Sequence, residues 1–178
     1  IGDGRLSLPF PEYALDRRGT SGCCRLPGTS AIIRGTVFFD SRSMRVLLIN
    51  PPTSHEQIYG DWDLGELDTY SPPLGILHIA SYIREYQHEP QILDLQCKTW
   101  DLEEAIHHIL SARPDIVGFS AMTINCLNAN KIATRLKNGG LKSPIVLGGA
   151  HISAAPVETL QRLEGIDYGV IGEGEATF

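Results

Sequence analysis

Three apolar segments in the second half of the chain stop abruptly at small or polar residues. They span residues 115–123, 144–151 and 167–175. A run that is apolar throughout is typical of a parallel strand buried on both faces. In open parallel sheets, ligands bind in the crevice outside the carboxyl ends of the strands. The sequence therefore predicts one crevice along one edge of one sheet.

From Met44 onwards the chain alternates strand and helix patterns. The strand patterns lie at residues 44–50, 91–95, 115–119, 145–147 and 168–171. Helical spacing of apolar residues predicts helices that begin near Pro73, near Asp101 as the N-cap, and near residues 126 and 157. This alternation predicts an α/β, flavodoxin-like (Rossmann-like) doubly wound five-stranded parallel sheet, with strand order 2-1-3-4-5. The classical Rossmann order remains an alternative.

The first 43 residues differ from the rest, with scattered Gly, Pro, Arg and Ser and no sustained period. Only the short apolar runs at 31–33 and 37–39 could form a strand there. We interpret residues 1–43 as a largely disordered leader or an upstream segment foreign to the domain. The alternative is a native extension that packs on it. Residues 44–178 form the predicted domain, truncated in a last helix that opens near Glu173.

Composition argues against several classes of function, although a local basic patch could still exist. The 178 residues carry a formal net charge of −6, which argues against nucleic-acid or anionic-membrane partners. No apolar run approaches the roughly 20 residues that span a bilayer. The four cysteines form no CxxC pair and no zinc framework. We expect reduced thiols and a cytoplasmic location.

Phosphate-binding motifs are also missing from the sequence. There is no GxxxxGK[ST], and prolines follow the first strand where a dinucleotide fold would carry GxGxxG. The crevice instead offers hydroxyls at Ser120 and Thr123 and two bare backbone positions at Gly148 and Gly149. The glycine pair could let an extended ligand approach the backbone, or could be a tight strand exit that needs positive φ.

These segments resemble the cobalamin (vitamin B12)-binding domain at the N-terminus of B12-dependent radical SAM enzymes. The resemblance covers residues 44–178 and rests on segments 49–52, 72–80, 115–120, 146–151 and 167–175. It implies that the nucleotide tail of cobalamin lies against the carboxyl edge of the sheet. The implied cofactor-binding residues all follow strands or begin helices at that edge: Pro51, Pro52, Leu74, Gly75, Gln96, Ser120, Met122, Thr123, Gly148, Gly149, His151, Gly172, Glu173 and Gly174.

The resemblance also implies roles for these residues. Ser120 and Met122 would line the tail, and the glycine pair would let it lie on the backbone. Residues 172–174 would border the nucleotide base, while the loops at 51–52 and 74–75 would face the corrin ring. His151 is about as readily a solvated loop residue as a ligand contact, and His55 is better explained as an exposed loop residue.

One motif departs from the classical family pattern. Cobalamin domains with a histidine-ligated cobalt carry DxHxxG, which we align with Asp94-Leu-Gln-Cys-Lys-Thr99. Gln96 then stands at the histidine position, and an amide is a poor cobalt ligand compared with imidazole. We therefore expect bound cobalamin to be base-off, without histidine ligation. Cys97 is a rival lower ligand, although an incidental thiol is the simpler interpretation.

The sequence assigns no catalytic residue and no metal ligand. It lacks the CxxxCxxC motif that holds the [4Fe-4S] cluster of radical SAM enzymes. We interpret it as the cofactor-binding module of a methyltransferase-type parent that also uses S-adenosylmethionine and that cluster, in a missing C-terminal domain. The alternatives are a stand-alone corrinoid carrier or sensor, or an α/β interaction scaffold that binds no ligand.

Overall fold

The computed structural model describes residues 13–16, 43–53, 71–97 and 100–175. Of residues 13–16 only the backbone is described. In chain order the elements are β1 (Tyr13–Asp16), β2 (Arg45–Asn50), α1 (Leu74–Glu85), β3 (Glu89–Asp94), α2 (Leu102–Ala112), β4 (Ile116–Ser120), α3 (Cys126–Asn138), β5 (Ile145–Gly148), α4 (Ala150–Ala154), α5 (Pro156–Arg162) and β6 (Tyr168–Ile171).

The strands form one sheet in the order β1-β6-β5-β4-β2-β3. Strands β2 to β6 are parallel, and β1 joins the β6 edge antiparallel. Counted from Arg45, the five parallel strands have the order 2-1-3-4-5, so the predicted flavodoxin-like fold is confirmed. Their carboxyl ends meet at one edge, where Asn50 lies opposite Asp94 and Ser120 opposite Gly148.

Helices cover both faces of the sheet because alternate strand residues are apolar in both directions. On one face, β2, β4 and β5 contribute side chains such as Leu47, Phe119 and Leu147 to a core shared with α2, α3, α4 and α5. On the other face, Val46 and Leu48 pack with Ile76, Ala80 and Ile83 of α1. The second core is much smaller, and it borders the cleft described below.

Charged side chains fix the amino-terminal edge of the sheet. Asp115 Oδ2 accepts a hydrogen bond from the Arg45 backbone N–H at 2.9 Å. Asp167 Oδ2 accepts one from the Ile145 N–H at 2.8 Å and also contacts Lys137 Nζ. Each aspartate thereby connects the start of one strand to a neighbouring segment.

Some local predictions differ from the structure. Helix α4 was not predicted, because five residues are too few to show a helical period. Asp101 does precede α2, but its side chain makes no capping hydrogen bond. Residues 172–175 form a bend and a turn after β6, and the rest of the predicted last helix lies outside the described residues.

The structure describes only residues 13–16 and 43 of the N-terminal segment 1–43. Strand β1 lies in the segment 1–43, at a place where no strand was predicted. The runs at 31–33 and 37–39, and the loop with His55, lie outside the described residues. In the part of the chain that the structure describes, no helix has the length and apolar character to cross a membrane.

Candidate functional site

A cleft opens between α1 and the carboxyl halves of β2, β4, β5 and β6. Its volume is about 160 Å³, close to the roughly 150 Å³ that accommodates a benzene ring in an engineered protein cavity. The cofactor-binding candidates among its lining residues are Gly75, Ser120, Gly148, Gly149, Gly172, Glu173 and Gly174. Apolar side chains of Leu48, Ile76, Ile79 and Val170 also line it, and Phe119, whose side chain lies in the core on the other face of the sheet, borders it through its backbone.

The two adjacent glycines at the end of β5 have different structural roles. A Cβ added to Gly148 would meet only the Phe119 carbonyl oxygen, at an ordinary 3.8 Å. At Gly149 the φ angle is +101°, and a Cβ would lie 2.6 Å from the Ala121 carbonyl oxygen. The backbone therefore requires glycine at 149, as the tight-exit interpretation holds. At 148 the missing side chain leaves space for a ligand.

Ser120 ends β4 directly opposite Gly148 and is partly exposed. Ser120, Gly118 and Gly148 form the floor of the cleft on the neighbouring strands β4 and β5. This floor presents backbone atoms and the Ser120 hydroxyl group. A serine hydroxyl can both donate and accept a hydrogen bond. This floor can thus take a flat or extended group that presents a polar atom.

The far wall of the cleft is formed by the turn after β6. The Gly172 N–H donates to Ser153 Oγ at 3.1 Å, and Gly172 has a φ of +78°. Further along, Glu175 Oε1 lies 2.8 Å from His78 Nδ1 on α1. This hydrogen bond, more than any other cause, lowers the pKa of the Glu175 carboxyl. The turn therefore connects β6 to α1 across the cleft.

A second polar cluster lies beside the cleft, at the loop that follows β2. Asn125 is only 1% exposed, and its Nδ2 donates to the Pro51 carbonyl at 3.3 Å and to Thr53 Oγ1 at 3.2 Å. Its Oδ1 accepts from the Met122 N–H at 2.9 Å. Asn128 Nδ2 donates to the Pro52 carbonyl at 2.8 Å. The loop of residues 51–53 is thus held by amides of α3 and of the residue before it.

Gln96 belongs to this same cluster. Its Nε2 approaches the Pro51 carbonyl at 3.1 Å and both Asn50 Oδ1 and Thr53 Oγ1 at 3.3 Å. Asn50 in turn donates to Asp94 Oδ1 at 3.0 Å. Gln96 was predicted as a site residue from the sequence, whereas Asn50, Thr53, Asn125 and Asn128 were not. Asn50 ends a buried strand and Thr53 follows it closely, whereas Asn125 precedes α3 and Asn128 lies within it, so the latter two give no such sequence signal.

The remaining candidates do not line the cleft. Leu74 is 73% exposed at the start of α1, and Met122 is 56% exposed after β4. Thr123 Oγ1 lies 3.1 Å from His151 Nδ1, so these two side chains are hydrogen-bonded to each other. Pro51 and Pro52 are part of the amide-held loop. The structure therefore divides the candidates between the cleft and the neighbouring loops.

The described cysteines and acidic groups do not form a metal site. Burial raises the pKa of the Cys126 thiol, and Cys97 is exposed with its thiol 3.1 Å from the Asp94 carbonyl. Within the ranges that the structure describes, no group of three or more His, Cys, Asp or Glu residues is placed to hold a metal ion.

Comparison with known proteins identifies the family. The sequence model of the B12-binding domain matches residues 62–178, well over half of the chain. The chain belongs to the B12-binding domain family. The resemblance predicted from the sequence is confirmed.

The B12-binding domain has curated relatives that are much longer. It is 34% identical over 137 residues to an uncharacterized methyltransferase of Pyrococcus horikoshii, covering 76% of this chain and 28% of the relative. It is 29% identical over 136 residues to the anaerobic magnesium-protoporphyrin IX monomethyl ester cyclase of Rubrivivax gelatinosus, covering 74% and 23%. The chain thus spans about a quarter of the length of these relatives.

Solved structures show the same fold. The radical S-adenosylmethionine methyltransferase TsrM of Kitasatospora setae matches with a TM-score of 0.60 and 24% identity, over 75% of this chain and 24% of that one. The cobalamin-dependent S-adenosylmethionine radical enzyme OxsB, with aqua-cobalamin bound, matches with a TM-score of 0.53 and 23% identity, over 76% and 18%.

The residues present in this B12-binding domain fit its expected cofactor. The cleft has a glycine floor at Gly148, where an added Cβ would meet only the Phe119 carbonyl oxygen at 3.8 Å, and apolar walls from Ile76, Ile79 and Val170. A planar base in such a cleft would contact apolar side chains on one side and bare backbone on the other.

Proposed function

We propose that this domain binds cobalamin with its nucleotide tail in the cleft between α1 and β4–β6. The observation that carries the proposal is the open floor at Gly148, where a missing side chain exposes backbone next to Ser120. Small-molecule sites are concave, mostly apolar and furnished with a few polar groups, which describes this cleft. The bound cofactor would supply the chemistry of its cobalt centre, while the protein binds and orients it.

We further propose that the cofactor is bound base-off and without a histidine ligand from these loops. The loop after β2 consists of Pro51, Pro52 and Thr53, and Gln96 after β3 has its amide nitrogen directed to that loop. Two described histidines lie near this edge, and both are hydrogen-bonded: His151 to Thr123, and His78 to Glu175. These contacts support the proposal that amide groups and prolines, rather than an imidazole, face the corrin ring at this edge of the sheet.

Retention of hydroxocobalamin tests both statements. The purified chain is incubated with the ligand, desalted, and examined by visible spectroscopy. We expect retained corrinoid with a base-off spectrum. The Gly148→Leu variant should lose retention because the new side chain occupies the cleft floor, whereas Leu127→Ala, at an exposed side chain that is not among the lining residues, should retain it.

The outcomes separate the two statements. A folded wild-type sample that retains no corrinoid would contradict cobalamin binding by this chain. An imidazole-ligated spectrum would contradict the base-off state alone, and a His151→Gln variant would then show whether His151 is the ligand.

We also propose that the domain is one module of a B12-dependent radical SAM enzyme of the methyltransferase type. The support is the similarity to much longer proteins of which the chain spans about a quarter. In that setting the [4Fe-4S] cluster and S-adenosylmethionine belong to a C-terminal partner domain. Reading the gene beyond residue 178 tests this, since a CxxxCxxC motif should follow, and its absence would favour a stand-alone carrier.

A further inference from the structure

We infer that strand β1, which lies upstream of the region matched by the B12-binding family, is part of the cofactor site. Its role is to position the cleft wall formed by the end of β6 and the turn at residues 172–175. The effect on ligand binding rests on the proposed function, whereas the effect on the wall can be measured without any ligand.

The strand registers show why β1 matters. The ladder between β5 and β6 pairs only Tyr168 and Gly169, with Val146 and Leu147. The ladder between β1 and β6 pairs all four residues of β6, from Tyr168 to Ile171. Among the described strands, β1 is therefore the one that pairs with Val170 and Ile171.

This carboxyl half of β6 leads directly into the cleft wall. Val170 is buried and lines the cleft, and Gly172, Glu173, Gly174 and Glu175 follow it along the same wall. A small displacement of Val170 and Ile171 would therefore move the whole wall relative to the floor at Gly148.

The side-chain hydrogen bonds that hold this wall are exposed, although Ile171 also packs against the main core. The hydrogen bond from Gly172 to Ser153 Oγ lies at the surface, and His78, which holds Glu175, has a side chain that is 78% exposed. Exposed ionic contacts contribute little to stability because water and salt screen them. A backbone ladder is the stronger restraint, and without β1 the end of β6 would be a free sheet edge that frays readily.

The test uses the full-length double variant Ala14→Pro/Leu15→Pro. Successive residues of an antiparallel strand direct their N–H groups to opposite sides. Whichever of the two N–H groups faces β6, one of the two prolines therefore removes a hydrogen-bond donor to β6. The matched control, Ala14→Val/Leu15→Ile, keeps every backbone donor and has high strand propensity.

Hydrogen exchange by mass spectrometry measures the wall, and titration with hydroxocobalamin measures the site. We expect the proline variant to exchange at least about tenfold faster in the peptide that covers residues 168–172. Protection in β2 and β4 should be unchanged, which shows that the domain is folded. The dissociation constant should rise about tenfold or more, which corresponds to about 1.4 kcal/mol. The control should match the wild type in both measurements.

Two results would overturn the inference. Unchanged exchange at residues 168–172 would show that β1 does not order the wall, and faster exchange with unchanged affinity would show that the ordering does not serve the site. If the wild-type chain itself binds no hydroxocobalamin, the proposed function fails, and the exchange data alone then decide whether β1 orders the wall.

Discussion

At the scale of single residues, Gly148 and Gly149 show that neighbouring glycines can be needed for unrelated reasons. Gly149 has a positive φ and would place a Cβ against the backbone of Ala121. Gly148 has neither constraint and instead leaves the cleft floor open. Sequence alone could offer both explanations for the pair but could not assign one to each position, because the assignment depends on the φ angle and on the facing loop.

Alanine substitutions at the two positions should therefore have opposite consequences. We expect Gly149→Ala to destabilise the fold by about 1–3 kcal/mol, because it adds both backbone strain and a close contact. Gly148→Ala should change stability by no more than about 1 kcal/mol, since its Cβ has room. Urea unfolding followed by circular dichroism measures both. A Gly149→Ala protein as stable as the wild type would contradict the assignment.

A buried histidine should make stability depend on pH. His88 is 8% exposed, and its Nδ1 lies 3.3 Å from the Met44 N–H, where it accepts a hydrogen bond. Burial lowers the pKa of His88 below its ordinary value of 6.5. The unfolded chain therefore binds a proton at a pH where the folded chain does not, so stability is full above about pH 6.5 and falls as the pH decreases below it.

The measurement is the free energy of unfolding in urea at pH 8, 7, 6 and 5.5. The His88→Asn variant keeps an acceptor near Met44 but does not titrate, so its stability should depend less on pH over this range. An identical pH dependence in both proteins would show that another group is responsible.

At the scale of elements, the strands were predictable and several connections were not. The five strands followed from apolar runs separated by helical periods, because burial on both faces leaves a clear pattern. Their order was predicted as 2-1-3-4-5, with the Rossmann order as an alternative that the pattern left open. Helix α4 is too short for any period to show, and β1 is a four-residue strand in a segment without alternation. Such short elements depend on tertiary contacts that a local pattern does not contain.

The site was predictable to a similar degree. Candidates chosen at the carboxyl ends of β4, β5 and β6 do line one cleft, because parallel topology brings those ends together. The amide cluster around residues 51–53 was missed. Asn125 and Pro51 are separated by 74 positions in the sequence, and nothing local indicates that they are hydrogen-bonded.

The loop of residues 51–53 is held by the side chain of Asn125, which directly precedes α3. Removing this side chain should reduce the stability of the domain. Asn125→Ala should destabilise the domain by about 1–3 kcal/mol, because it leaves the buried Pro51 carbonyl and Met122 N–H without that amide. Asn128→Ala removes one hydrogen bond to Pro52 from a less buried position and should cost less. Urea unfolding of both variants checks this order, and a larger loss for Asn128→Ala would contradict it.

At the scale of the whole molecule, the two faces of the sheet are unequal. One face has a continuous core with four helices, and the other has a small core under α1 beside the cleft. The proposed ligand would bind on the thinner face. Ligand contacts there would bury additional surface on the face of the sheet that has the smaller protein core.

Ligand binding should therefore stabilise the molecule unevenly. At a hydroxocobalamin concentration of about 100 times the dissociation constant, we expect about 2.7 kcal/mol of added stability. Hydrogen exchange should slow mainly in α1 and in residues 168–175, with little change in α2 and α3. Equal slowing on both faces would indicate a general effect rather than occupancy of the cleft.

The aspartates at the amino-terminal edge have a consequence for redesign of this domain. Asp115 and Asp167 hold the starts of β2 and β5, at the opposite edge from Gly148 and Ser120. Strand alignment and ligand contact therefore depend on separate sets of side chains. A library that varies only the cleft should keep the alignment intact, so this small sheet is a suitable starting point for evolving receptors for other flat, dye-like molecules.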